Sequence, residues 1–313
     1  MPDPSILGIG SAHIDLFIQV NDAVFSHYAS QKSRHIDLDD FLSLIRLESP
    51  IVLPGGSAAN TIRGLAHLGE KCAFLSCVGD DQEGAFFLDN LEKLGIHSHV
   101  SVVAGFSTIQ LICMINSDGE KRIIYPKQQE PRISFKKSHF ENVELTHIDS
   151  FQFEIGNDLE KAMELSHCKI SFNLGNRETA EKYREKILLF LRKHADIVFG
   201  NEEEIEALTG LPSERGCMRL QQLGLIAVMT RGKKGCFIAH ENGCLSVPGY
   251  PAKMVDATGA GDLFASGFLF GYLRGRPLVR CAAMGNLLGA AIVEVIGTEI
   301  PESKWESLRR ELR

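Results

Sequence analysis

The stretch KISFNLGNRETAEKYREKILLFLRKHADIVFGNEEEIEAL, residues 169–208, contains the same pattern twice. A short apolar run, Lys169–Leu174, precedes an amphipathic segment, Glu178–Lys193. Asp196–Phe199 and Glu202–Leu208 then repeat that order. Short apolar runs predict buried strands, and apolar residues spaced three or four apart predict helices. Because a strand, a crossover helix and a second strand place the two strands in parallel, the stretch predicts a parallel sheet covered by helices.

The same alternation extends towards both ends of the chain. Further strands are predicted at Ile6–Ile9, His13–Val20, Cys72–Val78, His147–Phe153 and Ala227–Thr230, with a hairpin at Cys236–Val247. Further helices are predicted at Leu38–Leu47, Ser57–Leu68, Gln82–Leu94 and Asp158–His167, followed by two closing apolar helices. Repeated strand–helix units predict an α/β fold with a doubly wound, mostly parallel sheet and helices on both faces.

A β-rich stretch interrupts this alternation. It contains three candidate strands, which are Val100–Val103, Thr108–Ile115 and Lys121–Tyr125. The last two flank Asp118-Gly119, a dipeptide that is typical of a hairpin turn. We expect a small separate sheet, inserted into a single domain over residues 1–313. Segments near residues 12–53 and 98–127 are predicted to build this sheet as a lid.

The composition is that of an ordinary globular protein with an excess of negative charge. The chain has 313 residues, a formal net charge of −7 and a sequence pI near 5.9, which disfavours a nucleic-acid partner. No stretch approaches the roughly 18 apolar residues of a membrane span, and the N-terminus MPDPS lacks the pattern of a secretion signal. The eight cysteines include no CxxC pair, which predicts reduced thiols in a cytoplasmic protein and disfavours a zinc site.

A glycine-rich turn, Val255-Asp256-Ala257-Thr258-Gly259-Ala260-Gly261-Asp262, leads directly into the apolar helix Leu263–Leu273. Glycines before a helix allow backbone N–H groups to converge on an anion, and the helix dipole favours negative charge there. Asp262 stands at the same helix start, where a carboxylate can accept the proton of an attacking hydroxyl. The pattern predicts amides that stabilise a transferring phosphoryl group beside a base. The alternative is a plain turn whose aspartate only caps the helix.

A second turn, Pro54-Gly55-Gly56-Ser57-Ala58-Ala59-Asn60, opens the helix predicted at Ser57–Leu68. Its two glycines permit close approach of a ligand to the backbone, and Asn60 offers both a donor and an acceptor one turn later. Asp15 is a carboxylate within an otherwise apolar strand, which favours a binding site over a core position. Such short, bidirectional polar groups suit a polyol substrate. The alternatives are a structural turn and an aspartate that faces solvent.

The two turns together resemble those of the ribokinase-like carbohydrate kinases, the PfkB family, over Ile6 to about Pro301. DATGAGD departs from the family pattern D-T-x-G-A-G-D mainly at Ala257. The resemblance implies a ribokinase-like fold with a small β-sheet lid. It also implies that Asp262 is the catalytic base and that the amides of Gly259, Ala260 and Gly261 form the anion hole.

The resemblance further implies the residues that bind the acceptor. These are Asp15, Gly55, Gly56, Asn60 and Glu154. Glu154 is assigned from Phe151-Gln152-Phe153-Glu154, which is similar to a Q-x-E pattern at the end of a strand in the family. At the carboxyl end of a parallel strand, Glu154 would face the ligand crevice. A solvated glutamate is the alternative.

Nucleotide contacts are implied at three places in the second half of the chain. They are Asn201 and Glu204 of an N-x-x-E element, Thr230, Gly232 and Gly235 of a T-x-G-x-x-G loop, and Asn286 beside the adenine. The implied cofactors are ATP and Mg²⁺, with Glu204 acting on the metal through a bound water, and a monovalent cation is a further candidate. The alternatives are an ordinary acidic helix start and a buried asparagine with a local partner.

Several local features are similar to the adenosine-kinase branch of the family, among them SAANTIR at Ser57–Arg63 and the segment Phe172-Asn173-Leu174. We therefore expect an ATP-dependent kinase that phosphorylates a primary hydroxyl of a ribosyl nucleoside or related furanose, as a monomer or as a homodimer through the lid. A ribokinase- or fructokinase-like sugar kinase and a non-catalytic nucleoside or sugar sensor remain alternatives. A dehydrogenase is disfavoured because Gly8-Ile9-Gly10-Ser11-Ala12-His13 breaks the dinucleotide fingerprint.

Overall fold

A computed structural model describes residues 4–30, 35–47, 49–118, 120–126 and 131–312. Its strands are β1 (Ile6–Ile9), β2 (His13–Gln19), β3 (His35–Ile36), β4 (Ile51–Gly55), β5 (Cys72–Leu75), β6 (Cys77–Gly79), β7 (His97–Ser98), β8 (Ser101–Val103), β9 (Ile109–Ile115), β10 (Lys121–Pro126), β11 (Leu145–Asp149), β12 (Lys169–Asn173), β13 (Ile197–Asn201), β14 (Ile226–Thr230), β15 (Cys236–His240) and β16 (Gly243–Val247).

Its helices are α1 (Asp22–Ala29), α2 (Leu38–Leu47), α3 (Ser57–His67), α4 (Gln82–Lys93), α5 (Phe151–Ile155), α6 (Leu159–Leu165), α7 (Arg177–Lys182), α8 (Arg184–His194), α9 (Glu202–Thr209), α10 (Ser213–Gln221), α11 (Ala260–Leu273), α12 (Leu278–Ile292) and α13 (Glu302–Glu311). None of the helices described is long and apolar enough to cross a membrane.

Within the described residues, the large sheet has the strand order β16-β15-β14-β13-β12-β11-β1-β5-β7. Every pair from β14 to β7 is parallel, and the two pairs at the other edge, β14–β15 and β15–β16, are antiparallel. Apolar clusters pack on both faces, so that Ile6 of β1 belongs to one cluster and Leu7 to the other. This confirms the predicted doubly wound sheet, because strands buried on both faces read as continuous apolar runs.

Polar residues end four neighbouring strands of this sheet. Asp149 ends β11, Asn173 ends β12, Asn201 ends β13 and Thr230 ends β14. The register pairs Asp149 with Asn173 and Asn201 with Thr230. The carboxyl ends of parallel strands line the crevice in which open α/β sheets bind ligands, so this edge is the candidate location of a site.

A smaller sheet has the order β3-β10-β9-β2-β4. Ile14 and Leu16 of β2 point into an apolar cluster that also contains Phe25 of α1 and Phe41 of α2. Because side chains alternate along a strand, Asp15 projects from the opposite face. The antiparallel pairing of β9 with β10 confirms the predicted hairpin, while Gly119 of its predicted turn lies outside the described residues.

Two predicted strands are wrong in their bounds. The strand predicted at His147–Phe153 ends at Asp149, and its last residues form α5 instead. Asp149 pairs with Asn173, which is also the last residue of β12, so no neighbouring strand continues to hold the chain extended. The strand predicted at Cys72–Val78 divides into β5 and β6, and β6 pairs with β8 in a separate two-stranded sheet. Val100–Val103 therefore does not belong to the smaller sheet.

The helices differ from prediction where the chain is polar. Glu178–Lys193 divides at Tyr183 into α7 and α8, and both α10 and α13 were missed. In α13 only Trp305 and Leu308 are buried, since most of its surface is charged and exposed. So few apolar residues give a weak helical period, which is why the sequence did not indicate this helix.

Candidate active site

Asp262 lies in the first turn of α11 and faces the start of α3 and the end of β12. Its Oδ1 accepts hydrogen bonds from Ser57 Oγ at 2.8 Å and Asn173 Nδ2 at 3.1 Å. Its Oδ2 accepts one from Asn60 Nδ2 at 2.9 Å. The structure thus brings Asp262 together with Asn60, as the two sequence motifs required. Ser57 and Asn173 complete the cluster, and neither was assigned a role from the sequence.

The environment of Asp262 makes its carboxylate a stronger base than an ordinary aspartate. The pKa of Asp262 is raised to about 6, mainly by burial, and the nearby charge of Asp149 acts in the same direction. The hydrogen bonds from Asn60 and Ser57 and the charge of Arg63 act in the opposite direction on this pKa. A carboxylate with a pKa near the working pH is both ionised and able to take up a proton, as a general base must be.

The glycines before Asp262 leave the start of α11 open. Gly259 has φ of +73°, a left-handed conformation, and directly precedes the helix. Gly261 is exposed, and a Cβ atom added to it would meet no atom within 4 Å. The first amides of a helix have no partner within that helix and carry the positive end of its dipole. At this helix start Ala260 N donates to Ala257 O at 3.2 Å, and the open space at Gly261 allows an anion to approach beside the Asp262 carboxylate.

The predicted acceptor residues Asp15, Gly55 and Gly56 lie where β2 pairs with β4. Asp15 is buried, and its Oδ1 lies 3.4 Å from His13 Nε2. A Cβ at Gly55 would fall 2.6 Å from Asp15 Oδ2, so glycine is needed for the carboxylate to occupy this place. The alternative in which Asp15 faces solvent is wrong.

Arg63 connects Asn60 to the C-terminal part of the chain, and the sequence did not indicate this role. Its Nη2 donates to Asn60 Oδ1 and, at 3.1 Å, to Thr298 Oγ1, while Nη1 lies 3.4 Å from Glu299 Oε1. Burial lowers the pKa of Arg63, and the charges of Glu299, Asp15 and Asp262 raise it. Because the guanidinium occupies the Asn60 carbonyl, the Asn60 amide is left pointing its N–H group at Asp262.

Asp149 occupies the strand end at which the sequence placed Glu154. Asp149 is fully buried, and its carboxylate accepts hydrogen bonds from Ala58 N at 3.2 Å and Gln152 Nε2 at 3.0 Å. Burial raises the pKa of Asp149 to about 6. Glu154 instead lies exposed on α5 and accepts a hydrogen bond from Thr179 Oγ1, so its prediction as a strand-end residue is wrong.

Asn201 and Glu204 form a reciprocal cap at the start of α9. Asn201 Oδ1 accepts a hydrogen bond from Glu204 N, and the two Glu204 oxygens accept from Asn201 N and Asn201 Nδ2, each at 2.9 Å. Burial raises the pKa of Glu204 to about 7, and the charge of Asp262 contributes in the same direction. Glu204 therefore carries a structural cap in addition to any role towards a metal.

The other predicted nucleotide residues occupy different surroundings. Thr230 lies beside Asn201 in the register, and Gly232 has open space around it, since a Cβ there would meet nothing within 4 Å. Gly235 is tightly packed, because a Cβ there would fall 2.1 Å from Val247 O. Asn286 is buried in α12 and donates to Val247 O and Pro248 O at 3.3 and 3.0 Å. A local partner for Asn286 is thus present.

The donor set near Asp262 is compatible with a hydrated Mg²⁺ ion. No group of three or more His, Cys, Asp or Glu side chains among the described residues is placed to hold a metal by itself. Magnesium keeps several waters and uses one or two carboxylates together with substrate phosphates, so it does not require such a group. Asp262 and Glu204 both have raised pKa values, the charge of Asp262 contributes to the shift of Glu204, and a nearby cation would lower both pKa values.

A mostly parallel α/β sheet, with a buried carboxylate at the open start of a helix beside the sheet's carboxyl edge, is an arrangement suited to a kinase of small molecules. The chain belongs to the pfkB family of carbohydrate kinases, whose model matches residues 30–305.

Proteins similar to this chain are named as kinases of nucleosides or of sugars. A nucleoside kinase from Methanothermobacter thermautotrophicus is 31% identical over 271 residues, which are 82% of this chain and 84% of that protein. The crystal structure of adenosine kinase from Sinorhizobium meliloti has a TM-score of 0.88 and 25% identity, and covers 99% of both chains. A probable sugar kinase from Rhizobium etli CFN 42 has a TM-score of 0.88 and 26% identity, and covers 100% of both chains.

Proposed function

We propose that this kinase transfers the terminal phosphoryl group of ATP, with Mg²⁺, to a primary hydroxyl of a ribosyl nucleoside. The observation that carries the proposal is the Asp262 carboxylate, held by Ser57, Asn60 and Asn173 at the open start of α11. A sensor that only binds its ligand would have no need for a carboxylate with a raised pKa beside the open start of a helix.

In this reaction Asp262 takes the proton of the acceptor hydroxyl as its oxygen attacks the terminal phosphorus. The new oxygen–phosphorus bond forms while the bond to the leaving ADP breaks, and the Gly259, Ala260 and Gly261 amides stabilise the charge on the phosphoryl oxygens. Glu204 would hold a Mg²⁺ ion through a water, and the ion would supply positive charge to neutralise the phosphates. Asn173 and Asn60 keep the Asp262 oxygens aimed at the acceptor.

On the acceptor side, Asp15, Gly55, Gly56 and Asn60 would contact the ribose hydroxyls. They lie where the smaller sheet meets the start of α3, so we assign that sheet the role of a lid that excludes water during transfer. The nucleotide would extend along Asn201, Thr230, Gly232 and Gly235, with Asn286 beyond the hairpin. We place the reaction in the cytoplasm, since all eight cysteines are free thiols and five of them are buried.

A panel of acceptors tests the proposed substrate class. Adenosine, cytidine, inosine, ribose and fructose are each incubated with ATP and Mg²⁺, and ADP and the phosphorylated product are quantified. We expect turnover of at least one nucleoside and much weaker turnover of both sugars. Turnover of ribose or fructose alone would replace the proposal by a sugar kinase. Binding of a nucleoside by calorimetry without any phosphoryl transfer would replace it by a sensor.

The pH dependence of kcat/KM follows from the raised pKa of Asp262, because kcat/KM reports the ionisation of the free enzyme before the metal–nucleotide complex binds. Since that pKa is about 6, the base form is lost as the pH falls through 6, well above the range of an ordinary aspartate. We expect kcat/KM for Mg-ATP to be constant near pH 7.5 and to fall by about tenfold per pH unit below pH 6. Initial rates at subsaturating Mg-ATP from pH 4.5 to 8 check this, with circular dichroism confirming an intact fold at each pH. A kcat/KM that stays level down to pH 5 contradicts the assignment.

A further inference from the structure

Lys121 of the smaller sheet contacts the loop that precedes the anion-hole glycines. Its Nζ forms an ion pair with the Asp256 carboxylate and donates a hydrogen bond to Thr258 Oγ1 at 2.8 Å. The Lys121 side chain is only 22% exposed, and its Nζ lies 5.8 Å from the centre of the Phe17 ring. Lys121 does not belong to the cluster around Asp262, so the proposed reaction does not explain why Lys121 makes these contacts.

Asp256 is a buried carboxylate that joins three segments of the chain. Its Oδ1 accepts from Thr258 N at 2.6 Å, its Oδ2 accepts from Gly297 N at 2.8 Å, and Lys121 supplies the opposite charge. Only about 2% of Asp256 is exposed. Removing one partner of a buried ion pair leaves an uncompensated charge, which is strongly unfavourable. The negative charge of Asp256 is therefore compensated only while Lys121 of the smaller sheet lies beside it.

The segments that Asp256 joins are those that fix Gly259. Thr258 directly precedes Gly259, and the side chain of Thr298, next to Gly297, packs beside it: a Cβ at Gly259 would fall 3.1 Å from Thr298 Cγ2. Thr298 also accepts the hydrogen bond from Arg63. The position of the first amides of α11 thus depends on Asp256, and the charge balance of Asp256 depends on Lys121.

We propose that Lys121 latches the smaller sheet onto the loop of Asp256 and Thr258 and so positions the Gly259–Gly261 amides for phosphoryl transfer. The inference rests on the proposed function and names Lys121 as a positioning residue. The sheet that carries Lys121 on β10 also carries Asp15 on β2, with β9 between the two strands. Lys121 thereby fixes the Asp15 side of the smaller sheet and the loop of the anion hole relative to each other.

Lys121→Met tests the latch, because methionine keeps the apolar stem and removes the ammonium. We expect kcat to fall by about 10- to 100-fold, through misplaced amides, while KM for the acceptor changes much less. Amide hydrogen exchange in peptides that cover residues 256–261 should become faster than in the wild type. Lys93→Met is the matched control, since Lys93 forms an exposed ion pair with Asp89 on α4 and should change neither readout.

The double variant Lys121→Met/Asp256→Asn separates positioning from simple loss of stability. It removes both charges, so the uncompensated buried charge of the single variant is gone, but the new amide nitrogen at position 256 faces a backbone N–H of Thr258 or Gly297, so thermal stability should recover only in part. The tether is still broken, so kcat should remain low and exchange at residues 256–261 should remain fast. Recovery of kcat together with stability would overturn the latch, as would a Lys121→Met protein with wild-type kcat and wild-type exchange. Absence of turnover by the wild type would instead refute the proposed function, and the exchange readout would still test the latch.

Discussion

Replacing Asp262 by asparagine should lower kcat by about a thousandfold while leaving nucleoside affinity nearly unchanged. Asparagine has a similar shape but cannot take up the proton of the acceptor hydroxyl. The loss is confined to the transition state, because the proton moves only as the oxygen attacks phosphorus. Single-turnover and steady-state rates with a nucleoside that the wild type phosphorylates measure the first effect, and calorimetric titration with that nucleoside measures the second.

Asp158→Asn provides the control for this substitution. Asp158 also caps a helix, since its Oδ1 accepts a hydrogen bond from Lys161 N at 3.2 Å, but it is exposed at the start of α6. The same chemical change there should leave kcat unaltered. An Asp262→Asn protein that folds normally and keeps kcat within about tenfold of the wild type would show that another group accepts the proton.

The site combines three acidic groups whose ionisation is unfavourable. Burial raises the pKa of Asp149 and Asp262 to about 6 and that of Glu204 to about 7. Asp149 lies at the end of β11, Glu204 at the start of α9 and Asp262 at the start of α11. Each raised pKa means that the folded protein disfavours the negative charge of that group. Cations that arrive with the substrate would relieve this cost, so the same electrostatics that destabilise the empty site favour a metal–nucleotide complex.

The large sheet and the two glycine turns could be predicted from the sequence because local patterns define them. Alternating strand and helix periods fix a parallel sheet, and a glycine pair before a helix start is visible in any single chain. Asp262 and Asn60 could therefore be selected as candidates from the residues next to them in the sequence. The structure shows in addition that the two side chains are hydrogen-bonded to each other. Their roles in catalysis remain predictions.

Arg63, Asp149 and Lys121 could not be recognised in this way. Arg63 acts on residues far along the chain, Thr298 and Glu299, and Lys121 on Asp256 and Thr258, so only the folded chain brings the partners together. Asp149 was missed for a local reason. The strand was extended to Phe153 because its residues are apolar and alternate, whereas the neighbouring strand stops at Asn173 and leaves no partner for them.

Gly56→Ala should destabilise the protein by about 3 kcal/mol or more and abolish activity at ordinary temperature. Gly56 has φ of +105° and ψ of 123°, a conformation that residues with a Cβ rarely adopt. A Cβ there would fall 2.2 Å from Ser11 O and 3.3 Å from Ala59 Cβ. Backbone atoms at the end of the β1–β2 connection cannot move aside cheaply, so the start of α3 would shift and carry Ser57 and Asn60 away from Asp262.

Gly69→Ala separates backbone strain from this crowding. Gly69 follows α3 with φ of +91°, but a Cβ there would meet no atom within 4 Å. Its substitution should therefore cost only the strain of the backbone, about 1–2 kcal/mol, and leave kcat unchanged. Denaturant unfolding of the two variants and the wild type gives the free energies, and kcat is measured on the folded fraction. Equal losses of stability in both variants would mean that strain alone explains Gly56. A fully active Gly56→Ala enzyme would mean that the position of α3 relative to Asp262 is not critical for the reaction.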